Sequence, residues 1–172
     1  MTKIPQPAEI FRNLKDLPPL KALGSDGYHA FFFQTNWSNL GLSVIQVIQE
    51  IFEQLSIPPS WGITNLVLIL KLAHPEMITQ FRLISLCNIL YKLVSRIIVQ
   101  RLKPYMAEII NPCQAGFVPG RRTSDNITFV QEVIRTLKNR QGGTRYVALK
   151  LDLEKAYDRL DWDFIRESLE FF

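Results

Sequence analysis

In a chain of 172 residues, one acid stands where a metal ligand could be held. Asp152 follows residues 146–151, Tyr-Val-Ala-Leu-Lys-Leu, an apolar run of strand length. A rigid strand opening at its C-terminal end into a cleft is a common way to fix a carboxylate for metal chemistry. The same spacing fits an Asp that caps a following helix, because the residues after it, with four further charges at Glu154, Lys155, Asp158 and Arg159, read as helical. A second constellation is cationic. Lys71 ends the apolar run Asn65–Leu70, and Arg82 lies eleven residues further on. Such a pair can clamp a polyphosphate, with Arg as a planar fork and Lys as a point charge. It can equally serve solubility. A third is the turn around Gly24, Asp26 and Gly27, whose exposed amides could cradle a phosphate.

Other chemistries have little to build on. His29 and His74 are far apart, and neither Cys87 nor Cys113 has a partner at metal spacing, so no zinc site is expected. Two cysteines make no disulfide framework and point to a reducing compartment, hence an intracellular setting, nucleus or cytoplasm. The apolar runs are short and interrupted, which argues against a membrane span. With 47% hydrophobic residues the chain is globular rather than disordered. Its net charge of +4 is uneven. Residues 1–86 balance, six basic against six acidic; residues 92–150 carry 11 Lys/Arg against three acids; residues 152–170 reverse the sign, seven acids against three bases. A basic segment feeding an acidic tip suits a polyanion held beside metal ions, although solvated helix faces give the same pattern.

The elements that must position these residues follow from periodicity. A short helix is expected over 8–16, ended by Pro18 and Pro19, then an aromatic helix over 29–37 with Phe31, Phe32 and Phe33 as core. Ser38 reads as the cap of a helix running to about residue 55, with Leu42, Ile45, Ile48, Phe52 and Leu55 on its apolar face. Asn65–Leu70 reads as a buried strand, with a loop from Lys71 to Arg82. A helix over about 87–103 carries the stripe Ile89, Leu90, Leu93, Val94, Ile97, Ile98 and Leu102, with Lys92, Arg96 and Arg101 turned away, until Pro104 breaks or kinks it. Residues 114–122 form a turn-rich basic loop. Ser124 or Asp125 then caps a helix to about residue 140, with Ile127, Val130, Val133, Ile134 and Leu137 inward. A last helix starts at Trp162, and its apolar pattern is interrupted at Phe172, as expected of part of something longer.

Five ordered blocks carry a resemblance. They are Lys21-Ala22-x-Gly24-x-Asp26-Gly27; Leu68-Ile69-x-Lys71 with Phe81-Arg82-x-Ile84-Ser85-Leu86; Tyr91-Lys92 with Arg101-Leu102; Gln114-x-x-Phe117-Val118-Pro119-Gly120-Arg121 with Asp125-Asn126; and Lys150-x-Asp152-x-x-Lys155-Ala156-Tyr157-Asp158 with Trp162. In this order they resemble the reverse transcriptase of non-LTR (LINE-type) retrotransposons of the kind abundant in plants. A group II intron-type enzyme is disfavoured by the Phe-Val-Pro-Gly-Arg block. The resemblance implies an α/β fold, mostly helical: fingers and part of the palm of a right-hand polymerase over 1–144, and the first catalytic palm strand with its helix over 145–172. It implies RNA-templated DNA synthesis, with an RNA template, a DNA primer and deoxynucleoside triphosphates as partners. Asp152 matches the first catalytic aspartate, a ligand to two Mg²⁺ ions, with the carbonyl of Leu153 as a further ligand. Tyr157 matches the aromatic gate that crowds a ribose 2′-hydroxyl. Lys71 and Arg82 match the residues that hold the incoming triphosphate. Arg96, Arg101, Arg121 and Arg122 would contact template or primer backbone. Glu154, Asp158 and Asp161 read as helix-surface acids.

The chain also departs from the family's pattern. The aromatic-Ala-Asp-Asp turn is absent, and no Asp-Asp pair occurs in the sequence. One aspartate does not hold two magnesium ions, so the isolated chain is expected not to polymerise. The remaining expectations are a non-catalytic nucleic-acid-binding fragment or an inert relic. The family usually has proline at the positions of Leu23, Ser25, Leu70 and Leu83. Proline codons become leucine or serine codons by a single C-to-T change, so the expectation is a silenced copy decaying by cytosine deamination, which fails if these codons in the nucleotide sequence are not one such step from a proline codon.

Overall fold

The computed structural model describes residues 3–111, 114–116, 118, 120–139 and 160–171. They fall into two compact units, residues 1–120 and 121–172. The expected boundary at 144/145, and the strand expected to deliver Asp152, lie outside the described residues.

The first unit is built on four helices. α1, Pro7–Lys15, begins on a proline whose fixed φ suits the first helical position. α2, Ala30–Thr35, and α3, Trp37–Gln54, meet at Asn36. There the helical path breaks, and Asn36 Nδ2 donates back to the Phe32 carbonyl at 2.9 Å. The break falls ahead of Ser38, which therefore lies in the first turn of α3 and does not cap it. α4, Ile89–Ile109, starts on Asn88, whose Oδ1 accepts the Tyr91 amide at 2.7 Å. It continues through Pro104, which was expected to interrupt it. Proline's own φ is helical, so the ring forfeits one backbone bond, and the helix runs on to Ile109.

Ile10, Leu14, Ala30, Val44, Ile48, Ile51, Phe52, Ile89, Leu93, Val94 and Ile97 form one buried cluster between these helices. Each large aliphatic side chain here is worth about 1.5–3 kcal/mol of transfer free energy. The buried face of α3 is Gly41, Val44, Ile48, Ile51 and Phe52, rotated from the expected one; Leu42 is 84% exposed. Trp37, the first residue of α3, lies on this buried side. Its ring stacks on Phe11 at 4.9 Å and covers Gly41, where an added Cβ would lie 2.9 Å from the indole. Of the three phenylalanines expected in the core, Phe33 packs against it, whereas Phe31 and Phe32 are exposed. Successive residues on a helix point about 100° apart, so one face cannot bury all three.

The only sheet among the described residues is a two-stranded ribbon. β1, Asn65–Leu70, has the expected limits. It pairs antiparallel with β2, Phe81–Leu86, where a loop had been read up to Arg82. The expected burial of β1 is overturned, because every one of its residues is exposed. Hydrophobicity made this segment a strand, but no helix of its own unit covers it.

In the second unit, α5 spans Thr123–Asn139 and α6 spans Trp162–Phe171. Both Ser124 and Asp125 lie in the first turn of α5, where the Asp favours the helix dipole without acting as the cap. Ile127, Val130, Val133 and Ile134, expected inward, are exposed among the described residues. At the start of α6 the Asp161 carboxylate accepts the Asp163 amide at 2.7 Å, and Arg166 pairs with Asp163 at 2.7 Å. The chain is mixed helix and sheet with helix dominant, as the sequence led us to expect.

Candidate triphosphate and nucleic-acid site

The hairpin brings Lys71 and Arg82 together. In the register, Ile69 faces Arg82 and Leu70 faces Phe81, and the Lys71 amide extends the ladder by donating to the Gln80 carbonyl at 2.9 Å. Lys71 therefore stands opposite Gln80, diagonal to Arg82. Diagonal neighbours of this kind lie on one face with Cβ atoms roughly 7–8 Å apart. Both side chains are exposed, and neither pairs with a carboxylate among the described residues. Lys71 Nζ donates to the Thr79 carbonyl at 3.0 Å, a neutral contact that leaves its charge uncompensated. Two cations on one face of a ribbon whose strands contain no acid make a suitable receptor for an extended polyanion.

The turn at Gly24 is differently disposed from the phosphate cradle considered for it. The Gly27 amide donates to the Gly24 carbonyl at 3.2 Å, and the Tyr28 amide donates to Asp26 Oδ1 at 3.3 Å. Gly27 takes the positive φ, +71°, that such a turn needs. These amides close the turn on itself, so they are not offered to a ligand.

Two of the expected backbone-contacting arginines are engaged within the first unit. Arg101 makes a fork to Glu9, Nε to Oε1 and Nη2 to Oε2, both at 2.9 Å. It also donates to the Lys3 carbonyl, and its guanidinium lies 5.1 Å from the Phe52 ring centroid. The Arg101 hydrogen bonds hold the Glu9 carboxyl below the usual glutamate range, against the opposing effect of burial. Arg96 Nη2 reaches Asp16 at 3.3 Å. The groove of about 480 Å³ beside them is lined by Glu9, Arg12, Asn13, Asp16, Gln100 and Arg101, a mixture of signs rather than a basic channel. Lys92, also read as turned away, donates to the Ala22 carbonyl at 3.2 Å. These cations point at partners 70 to 98 residues earlier in the chain, which helical spacing on α4 could not reveal.

Arg121 and Arg122 belong to the second unit, just ahead of α5. The Arg122 carbonyl accepts the Asp125 amide at 3.1 Å, and its side chain is exposed. Asp152, Leu153 and Tyr157 lie outside the described residues. Among the described residues no three His, Cys, Asp or Glu side chains converge as a metal site. The sequence supplies one motif carboxylate and no Asp-Asp pair, so its residues do not complete a two-ion centre. No helix among the described residues is long and apolar enough to cross a membrane.

Residues 71–172 match the family described as reverse transcriptase (RNA-dependent DNA polymerase). The chain belongs to that family. It is also similar to a protein of Xenopus laevis named "Transposon TX1 uncharacterized 149 kDa protein", 34% identical over 162 residues. That alignment covers 94% of this chain and 12% of the relative, so the chain spans about an eighth of the relative's length.

Proposed function

We infer that this chain is the fingers and first palm segment of a non-LTR retrotransposon reverse transcriptase. The spelling of its five sequence blocks favours an element of plant type. In this reading Lys71 and Arg82 hold the phosphates of an incoming deoxynucleoside triphosphate, acting as point charge and fork on one face of the hairpin. That juxtaposition is the observation that carries the reading. Tyr157 would crowd a 2′-hydroxyl and so favour deoxynucleotides. Asp152 and the Leu153 carbonyl would be magnesium ligands in a complete centre, where the metal neutralises charge on the phosphates. No catalytic step is assigned to these 172 residues, because the second acidic pair is not among them.

Arg121 and Arg122 support contact with template or primer backbone, which requires charge and not base reading. Arg96 and Arg101 fit a structural role better, since Arg101 is paired to Glu9 of α1 and Arg96 to Asp16 at its C-terminal end. The setting proposed is intracellular, in the nucleus or cytoplasm, where the RNA template and DNA primer are found. Binding of deoxyguanosine triphosphate to the chain, measured by equilibrium dialysis, tests the reading. Lys71→Ala and Arg82→Ala should each weaken binding about tenfold, the loss of one charge-assisted contact of about 1.4 kcal/mol. Unchanged affinity in both variants would sink it. Primer extension by the isolated chain with Mg²⁺ would refute its inactivity.

A further inference from the structure

The 21–28 loop stacks Tyr28 on Phe32 of α2 at 4.7 Å, and its Ala22–Ser25 portion makes contacts at the base of the hairpin. Gly24 sits against the backbone where β2 passes into α4. A Cβ at this position would lie 2.5 Å from the Asn88 nitrogen and 2.6 Å from both Asn88 Cα and the Cys87 carbonyl carbon. Those atoms are backbone and cannot swing aside, so only glycine fits without a shift. The neighbouring Ser25 Oγ donates to the Ile63 carbonyl at 3.1 Å, just ahead of β1. From α4, Lys92 Nζ donates to the Ala22 carbonyl at 3.2 Å. His29 Nδ1 lies 2.8 Å from the Lys21 carbonyl and steadies the loop's own start. Across the base of the ribbon, Thr64 Oγ1 and Cys87 Sγ are 3.8 Å apart.

We propose that the 21–28 loop is a latch that fixes the base of the β1–β2 hairpin, with Gly24, Ser25 and Lys92 as positioning residues for Lys71 and Arg82. One strand is held by Ser25 through Ile63, the other by Gly24 through Asn88, and Lys92 ties the loop to the helix that follows. A two-stranded ribbon has little stability of its own, and this one has no cover from its unit's core. The angle at which it presents its two cations therefore depends on its base. The role of the latch in presenting those cations rests on the triphosphate reading above; its hold on the ribbon does not.

Amide hydrogen exchange on the full chain tests the latch, with the amides of α3 and α4 as internal reference. Lys92→Met removes one hydrogen bond and should speed exchange at Asn65, Val67 and Ile69 about 2- to 10-fold while the helices keep their protection. Lys92→Arg, which still donates, should restore the slow rates. Ser25→Ala should give a smaller rise on the same amides, and Gly24→Ala a larger one. Should Gly24→Ala unfold the chain, the Lys92→Met and Lys92→Arg pair decides. Deoxyguanosine triphosphate affinity should fall in step with the exchange rates. Hairpin exchange that is unchanged in Lys92→Met and Ser25→Ala, or that rises equally in the helices, overturns the latch. Faster hairpin exchange together with triphosphate binding that ignores Lys71→Ala and Arg82→Ala would uphold the hold on the ribbon and overturn the triphosphate reading.

Discussion

Arg101 and Glu9 join the two ends of the first unit, and their coupling can be measured. The pair is bidentate, with both bonds at 2.9 Å, and the side chains are 17% and 23% exposed. Arg101→Met would remove both charged bonds, the bond to the Lys3 carbonyl and the ring contact with Phe52. For a fully buried pair such a loss costs about 3–5 kcal/mol; access of water to these side chains reduces the expectation to about 2–3 kcal/mol. Glu9→Gln should cost less, about 1 kcal/mol, because the amide oxygen still accepts one bond. A double-mutant cycle by urea unfolding should give a coupling of about 1–2 kcal/mol. The pH dependence has a definite sign. The Glu9 carboxyl is held below its ordinary value, so its contribution is complete above that value and is lost as pH falls through the lower, folded one. The stability gap between wild type and Glu9→Gln should therefore close in acid, below about pH 4. A coupling under about 0.3 kcal/mol, or a gap that is constant down to pH 3, would refute a structural role for the fork.

Two further substitutions read the backbone. Leu55 ends α3 in the left-handed region, φ 51°, and is largely exposed; Leu55→Gly should stabilise the chain by about 0.5–1 kcal/mol, seen as a higher Tm. In the ladder, Lys71 donates to Gln80, so Ile69 faces its partner with its amide and Leu70 points its amide outward. Leu70→Pro should keep the hairpin and reduce concentration-dependent association at its open edge, whereas Ile69→Pro should destroy the ribbon. Amide exchange and light scattering distinguish the two.

Residues that act through their neighbours in sequence were legible. The limits of β1 follow from five consecutive apolar residues, Leu66 to Leu70, behind Asn65, and Pro7 announces α1. What depends on a distant partner was not. Two apolar stripes on α3 share Ile48 and Phe52, and the choice between them rests on partners from other elements, such as Phe11 stacked on Trp37. β2 shows no clean alternation, and becomes a strand because β1 offers it a ladder. Counting cations on α4 overstated the free positive surface, because Glu9, Asp16 and the Ala22 carbonyl meet Arg101, Arg96 and Lys92 from far upstream. At the candidate site, Lys71 and Arg82 were found by type and spacing, but the shared face needed the register. Ser25 and Lys92 carried no local signal for the hairpin base, and Gly24 suggested a turn but not the backbone it abuts.

The hairpin base also has a place in time. Residues 21–28 and both strands leave the ribosome before α4, yet Lys92 reaches back 70 residues to the Ala22 carbonyl, and Gly24 abuts backbone at Asn88. Until α4 is made, the nascent chain carries an apolar ribbon with open edges, held at its base by Ser25 on the Ile63 carbonyl and still without the anchors at Asn88 and Lys92. Contacts of such long sequence separation form late and slowly. Translation speed through the codons of α4 should therefore govern how much of this protein escapes edge-to-edge association, and slowing synthesis there should lower the soluble yield more than the same delay placed within α3.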